Sequence, residues 1–473
     1  MCLPSKVKGQ TVQMIAVLVG NVLNFNFGLT FGVTSSYARL YESPERTPLA
    51  HVAQPQEITW MGSILFLSAA MASLVFGPIS YKIGPKSVLL LCGLLQMASW
   101  FCVHFASDML HIYSSRVCAG IAGGAAYTVL PLYISEIAEG PAAKASLNVS
   151  VEIWRACGIF IGFIFGSYLN YDYVAVVGIL ISFFFSMVFP FVQESPYYFL
   201  RKGNMAGLEK SLRWFRGIRS IDDRNNPEFD HELAQIKNSL HEKTQLIESG
   251  PSASQLVKIL FGDLVLAVAS QLGGIFTILS YGSIISNSAT PLKLTGDILV
   301  LIFAVVHLLA TLVAKAFSGC VNRRMLLVIT SLGSAMCFLL GAVYSLYEHT
   351  WDMDDDIAAW IMPILFALQI LFASAGFITV STTVFMENIP KKSQYKLLGM
   401  LHFLSWIAVF AIIHYYVPIV HSVSITGLLL IFTLGSFAVT IGALFFYDKI
   451  QSAKELECNG NSIPNGRYAN VHI

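Results

Sequence analysis

Glu152 and Arg155 stand three residues apart in an otherwise apolar run, Leu147–Leu169. On a helix that spacing puts a carboxylate and a guanidinium on one face, close enough to pair. Such a pair can neutralise itself, hold a polar solute, or let the carboxylate carry a proton. A purely structural pair and a solute-handling pair both stay open. His307 is another polar group in an apolar run, and a lone histidine there is either packed and hydrogen-bonded or a ligand for something that enters. Neither feature is enzymatic in kind. The chain holds no C-x-x-C, H-E-x-x-H, G-x-S-x-G or phosphate-loop pattern, so bond-making chemistry is the weaker reading and no cofactor or metal is called for. The eight cysteines are scattered, with Cys92, Cys102, Cys118, Cys157 and Cys337 inside apolar runs, as small buried residues and not a disulfide framework.

The surroundings of these charges decide what they cost. Of 473 residues, 55% are hydrophobic and 12% charged, and the mean hydropathy is +0.65. A soluble domain of this size needs far more charge to cover its surface, so the class is all-α integral membrane. A lone ion at mid-bilayer costs roughly 2.5–3.5 kcal/mol, so Glu152 and Arg155 must find each other or a wet cavity. The net charge of +1 gives no reason to expect nucleic acid. Twelve runs have about the twenty residues that a helix needs to cross the hydrocarbon. They are Val12–Thr34, Ile58–Ser80, Ser87–Phe105, Leu110–Ile134, Leu147–Leu169, Tyr173–Val192, Val257–Ser286, Leu294–Ser318, Met325–Leu346, Ile357–Met386, Leu397–Val420 and Ile425–Phe446. The first exceeds a signal h-region and lacks a small-x-small cleavage site, so it reads as a span.

Glu194 to Leu256 is the one long interior stretch too charged for a bilayer, with a helix-like run from Pro227 to Lys243. It divides the chain into a six-helix half at 1–192, a linker at 193–256, a second six-helix half at 257–447 and a tail at 448–473. Lys82, Lys86, Lys144, Arg323, Arg324, Lys391 and Lys392 fall on the side of the termini, against Arg39, Arg46 and Lys293 opposite. Both termini and the linker are therefore expected to be cytoplasmic. Weak internal repetition accompanies the two halves. Gly77-Pro78-Ile79-Ser80-Tyr81-Lys82 corresponds to Gly319-Cys320-Val321-Asn322-Arg323-Arg324, and Glu136-Ile137-Ala138-Glu139 to Glu387-Asn388-Ile389-Pro390. That is the two-half anatomy of a secondary transporter.

An ordered set of short motifs runs through nearly the whole chain: Gly28-x-x-x-Gly32, Trp60-Met61-Gly62-Ser63, Arg116-x-x-x-Gly120, Pro131-Leu132-Tyr133-Ile134-Ser135-Glu136, Glu194-Ser195-Pro196 with Leu200, and Leu212-Arg213-Trp214-Phe215-Arg216-Gly217. In this the chain resembles the sugar porters of the major facilitator superfamily, and among them the insect facilitated trehalose transporter-like branch. The resemblance implies twelve helices in two six-helix halves and alternating access. Arg116, Glu136, Arg155, Glu194, Arg323, Arg324 and Glu387 fall at conformational or gating positions. Tyr81 and Gly319 stand where the family has acids that latch to arginines, so a looser clamp at the linker end is expected.

The resemblance also implies where a solute sits. Glu152 takes the place of a sugar-binding glutamine. Ser270-Gln271-Leu272-Gly273-Gly274-Ile275-Phe276, followed by Tyr281, resembles the family's Q-Q-L-S-G-[IV]-N element with two amides replaced. His307 aligns with another polar contact. Thr382 stands where the family's G-P-x-P-W break in span 10 carries a tryptophan, and the prolines of that break are absent, which implies a lost kink. Ser405 replaces an asparagine beside Trp406, a ring that either stacks on a sugar face or sits in a helix interface. Thr30 occupies the place of a span-1 carboxylate, so uniport is favoured over proton coupling. The expectation is facilitative movement of a small polar solute, a hexose or a trehalose-like disaccharide, across the plasma membrane, with solute and lipid as the partners. The alternatives are a non-transporting solute sensor and a carrier of a non-sugar solute on the same fold.

Overall fold

Helices that are apolar all round, and not along one stripe, belong in lipid or in a bundle core, and the long elements here are of that kind. The computed structural model describes residues 5–218, 227–245, 253–281, 296–317, 323–347, 355–389 and 393–445. The first spans are α1 (Ser5–Gly32) continued by α2 (Thr34–Glu42), α3 (Pro55–Ile83), α4 (Pro85–His104), α5 (Met109–Ile137), α6 (Gly140–Tyr168) and α7 (Tyr171–Val188). The linker supplies α8 (Pro196–Arg201), α9 (Met205–Phe215) and α10 (Pro227–Gln245). Then follow α11 (Ala253–Gln271), α12 (275–281), α13 (Gly296–Phe317), α14 (Arg323–Tyr347), α15 (Asp355–Ala375), α16 (Phe377–Asn388), α17 (Gln394–His414) and α18 (Tyr416–Phe445). Among the described residues, twelve helical stretches are long and apolar enough to span a membrane, and there is no strand. Leu180, Phe183 and Phe184 on α7 are more than half or about half exposed, the mark of a lipid-facing surface.

Small residues set the closest approaches, as packing between membrane helices requires. A Cβ on Gly28 would lie 2.2 Å from the Arg155 carbonyl oxygen, and one on Gly158 would lie 1.9 Å from that of Phe25, so α1 and α6 meet backbone to backbone. Buried amides then tie α1 to its neighbours. Asn21 donates to Ser150 at 2.9 Å, Asn26 donates to Ser182 at 2.6 Å, and Trp100 donates to Asn26 at 2.6 Å. The seams that join the early spans to the late ones are α3 against α17 and α6 against α13.

Two spans are broken where the chemistry lies. α11 ends at Gln271, and Gly274 takes φ +70°, a left-handed turn that costs glycine little, before α12 starts. α15 and α16 are separated at Gly376, with φ −124° and ψ −102°. The expected straightening of span 10 is therefore not found. The break is made without prolines, at a glycine whose Cβ would strike the Thr330 hydroxyl at 1.8 Å.

Candidate functional site

At the middle of the bundle five rings from four helices meet. Phe66 lies over Trp406 with centroids 5.8 Å apart and planes 25° apart. Phe276 stands 5.8 Å from Trp406, 5.6 Å from Phe66 and 5.7 Å from Phe31, while Phe27 meets Trp406 at 5.8 Å. Beside this cluster is a small cavity lined by Tyr127, Arg155, Gln271, Phe276, Ile378, Ser381, Phe385, His402, Ser405 and Trp406. Three of its polar atoms, Gln271 Oε1, His402 Nε2 and Trp406 Nε1, are buried without a hydrogen-bond partner among the described residues. A buried polar atom left unpaired costs about 1–3 kcal/mol. Their convergence on one cavity is what a polar occupant would relieve.

Glu152 and Arg155 form a buried ion pair at its wall, each 2% exposed. Arg155 donates to one carboxylate oxygen through both Nε, at 3.0 Å, and Nη2. Tyr127 donates to the other oxygen. The guanidinium also lies 5.1 Å from the centroid of Phe276, a cation–π contact that the low dielectric strengthens. Arg155 therefore faces the cavity, and Glu152 stands behind it.

The remaining expected residues are distributed as follows. Gln271, Phe276, Ser405 and Trp406 line the cavity. Ser270 does not; its hydroxyl donates to the Ala267 carbonyl at 3.1 Å and accepts from Gln271 Nε2 at 3.2 Å. Tyr281 belongs instead to a second cavity toward the end away from the linker, stacks on Tyr416 at 4.0 Å, and donates to the Ile413 carbonyl at 3.3 Å. His307 is fully buried with Nδ1 2.8 Å from the Ser374 hydroxyl, outside the central cavity. Thr382 and Glu387 lie on α16, and Arg323 opens α14; their side chains are outside those described.

Tyr127, Ser381 and His402 were not signalled by the sequence reading. His402 sits one helical turn before Trp406, and its Nδ1 lies 3.0 Å from the Thr128 hydroxyl. A polar residue inside an apolar span, the signal that marked His307, would have found it. Tyr127 follows Gly123-Gly124-Ala125-Ala126, a small-residue stretch that gives no hint of an inward ring.

Both ends of the bundle are drawn together. At the end away from the linker, His414 Nδ1 lies 3.0 Å from the Ser63 hydroxyl, and its ring is 4.5 Å from Trp60. Arg116 is buried there and donates to the Thr30 carbonyl at 2.7 Å and the Thr34 hydroxyl at 3.1 Å. At the linker end Arg201 donates to Glu136 at 2.6 Å and to Tyr395 Oη at 3.0 Å, and Tyr395 donates to Glu136 at 2.7 Å. The same guanidinium lies 4.8 Å from the Tyr81 ring and 5.0 Å from the Tyr395 ring. Tyr81, one of the two positions with a missing acid, thus contacts a cation, while Gly319, the other, lies outside the described residues. An aromatic face takes up the arginine that a carboxylate would have held. Burial opposes the charge on Arg201, and Glu136 and Tyr395 more than offset it, leaving its pKa above the ordinary value. Arg324 donates to the Leu444 carbonyl at 2.9 Å, an end-capping contact.

Glu194 accepts from the backbone N–H of Ser195 at 2.9 Å and of Lys86 at 3.1 Å. It fits beneath Gly84, whose φ is +97° and whose Cβ would meet the Glu194 carboxylate at 2.3 Å. Burial pushes the Glu194 carboxyl pKa up, and the two N–H donors pull it only part of the way back.

The family model described as "Sugar (and other) transporter" matches residues 15–455. The facilitated trehalose transporter Tret1 of Bombyx mori is 24% identical over 443 residues, which are 92% of this chain and 83% of that protein. Its counterpart in Apis mellifera ligustica is 25% identical over 418 residues, 87% of this chain and 80% of that one. Among solved structures, the proton:xylose symporter XylE bound to 6-bromo-6-deoxy-D-glucose superposes with a TM-score of 0.73 at 18% identity, covering 94% of this chain and 97% of that one. The inward-open form of the E. coli xylose transporter XylE gives 0.65 at 17% identity, covering 94% and 99%.

Proposed function

This chain belongs to the sugar (and other) transporter family, and from that premise we propose that it moves a neutral polyhydroxyl solute through the central cavity by facilitated alternating access. It is a multi-pass membrane transporter of the major facilitator fold, not an enzyme. The observation that carries the proposal is the convergence of Gln271 Oε1, His402 Nε2 and Trp406 Nε1, all unpartnered, on one cavity. A sugar hydroxyl both donates and accepts, so one solute can satisfy an amide oxygen, an indole N–H and an imidazole nitrogen together. Because the Arg155 charge is neutralised by Glu152, the site favours an uncharged solute over an anion. Trehalose is the leading candidate, since the Bombyx mori and Apis mellifera ligustica proteins with that name are similar over most of their length, and a hexose is the next.

Gln271, Phe276, Ser405 and Trp406 are the residues assigned to the solute, with Glu152 acting on it through Arg155 and Tyr281 at the outer cavity. Arg116, Glu136, Arg155, Glu194, Arg323, Arg324 and Glu387 are assigned to conformational control. The division into halves at 1–192 and 257–447, joined by the linker 193–256 and followed by the tail 448–473, supplies the two bodies that rock. The basic-residue bias supports cytoplasmic termini, and plasma-membrane residence is part of the proposal. Thr30 in place of a carboxylate favours uniport.

The test is ligand-induced stabilisation of the purified protein across a panel of trehalose, glucose, xylose and charged analogues, since a ligand that binds the folded state raises its melting temperature. Trehalose or glucose should stabilise the wild type, and Gln271→Ala should abolish the shift while leaving the unliganded melting temperature near normal. Stabilisation only by charged solutes would refute the assignment.

A further inference from the structure

Of the three unpartnered polar atoms at the central cavity, two have a role set by their own chemistry. Gln271 donates through Nε2 to the Ser270 hydroxyl at 3.2 Å, so its free Oε1 is an acceptor, and the Trp406 indole N–H can only donate. The third, His402 Nε2, can do either. The hydrogen bond made by the other ring nitrogen decides which. His402 Nδ1 lies 3.0 Å from the Thr128 hydroxyl, with the two residues 2% and 0% exposed. Among the described residues that hydroxyl has no other hydrogen-bond partner, and the Gly124 carbonyl one turn back accepts from Ser73 at 3.1 Å instead. A proton on Nδ1 would leave the buried Thr128 O–H with nothing to donate to, which is unfavourable. When Thr128 donates to Nδ1 its proton is used, and a neutral imidazole then carries its single N–H on Nε2. The ring is flanked by Tyr127 at 4.8 Å and Phe385 at 6.5 Å, between centroids. Thr128 rides on α5 in the first half and His402 on α17 in the second, so the contact crosses between the halves.

We propose that Thr128 is a positioning residue that fixes His402 as an Nε2–H donor, so that the central site reads its solute with two donors and one acceptor. A solute hydroxyl facing Gln271 must then donate. The oxygen facing His402 need only accept, and Thr128 sets that rule from the opposite half without touching the solute. This inference rests on the central cavity being the solute site, and its two measurements fail separately.

The first measurement needs no solute. NMR of the full chain in nanodiscs, with histidine isotope-labelled at its ring nitrogens and the His402 signals assigned by their loss in His402→Ala, should show Nδ1 bare and Nε2 protonated. Thr128→Val keeps the shape without the hydroxyl and should lose that preference, and Thr128→Ser should restore it. A wild type protonated on Nδ1, or a tautomer unchanged in Thr128→Val, would overturn the inference. The second measurement compares the affinities of monodeoxy and monofluoro analogues of glucose and trehalose, read by ligand-induced stabilisation. A C–F group accepts weakly and donates nothing. At the position facing His402 the deoxy sugar should bind about tenfold more weakly than the parent, and the fluoro sugar should lose clearly less. That gap should vanish in His402→Ala and Thr128→Val and return in Thr128→Ser, while at the position facing Gln271 both analogues lose alike. A merely structural role for Thr128 would weaken every sugar equally, and that result would overturn the inference while leaving the solute site intact. If the tautomer is as expected and no sugar of the panel stabilises the protein, the Thr128–His402 lock stands and the solute assignment fails.

Discussion

Replacing Glu152 and Arg155 singly and together gives a steep and asymmetric prediction. Both side chains are buried to about 2% exposure, and the pair makes two N–H···O contacts with Tyr127 as a further donor. Breaking one partner of a buried pair costs about 3–5 kcal/mol, because it strands the other charge, whereas removing both strands none. Glu152→Gln leaves the amide oxygen for Tyr127 but leaves Arg155 a cation against Phe276 with no counter-ion. Arg155→Gln leaves a carboxylate, which can take up a proton and lose its charge; a guanidinium cannot. Glu152→Gln should therefore be the more damaging single change. The double change should cost about 1–2 kcal/mol for imperfectly paired amides, so the double-mutant cycle should return a coupling of about 3 kcal/mol or more. Unfolding by SDS titration in mixed micelles, with monodisperse yield measured in parallel, reads these quantities. Additive single effects, or a double variant as damaged as Glu152→Gln, would refute the reasoning.

Three further outcomes are expected. Glu194→Gln keeps an oxygen for the Ser195 and Lys86 N–H groups and removes a charge whose pKa burial has raised. In the wild type, that group's contribution is fully present below the unfolded carboxyl pKa and is lost as pH rises through the raised folded value, so Glu194→Gln should flatten the melting-temperature profile across that window while Glu194→Ala lowers it throughout. Gly77→Ala puts a Cβ 2.3 Å from the Tyr395 carbonyl oxygen; overpacking costs about 1–3 kcal/mol, so the linker ends of α3 and α17 should separate, read as a longer spin-label distance between Ile83→Cys and Lys396→Cys. Arg201→Lys keeps the charge but loses the guanidinium's contacts with the Tyr81 and Tyr395 rings and one of its two hydrogen-bonded arms; the same distance should broaden, and an unchanged distribution would exclude the clamp.

The membrane class and the twelve spans were legible because a bilayer demands long apolar runs, whereas Val257–Ser286 read as one run and its joint at Gly274 showed only in the structure. The close pairs of spans separate where Asp108 accepts from the His111 N–H at 3.1 Å and where Asn170 precedes α7. The interior was less readable, for a physical reason. A helix that is apolar all round carries no periodicity to say which face looks inward, so Tyr127 could be found only from the packed bundle, and Ser270 could not be told from Gln271. The break at Gly376 was hidden because kinks were sought in prolines. The clamp was hidden because a guanidinium between Tyr81 and Tyr395 joins residues remote in sequence and has no motif, while a missing acid is conspicuous.

The central claim is that this chain carries a neutral polyol across a membrane through the cavity beneath Trp406. Tracer counterflow in proteoliposomes tests it most directly, with unlabelled trehalose loaded inside and labelled trehalose supplied outside, alongside the same experiment with glucose. A transient accumulation of label is expected with at least one of the two, unaffected by a proton ionophore and lost in Gln271→Ala. Stable, folded protein that binds either sugar yet shows no counterflow with any member of the panel would contradict the account.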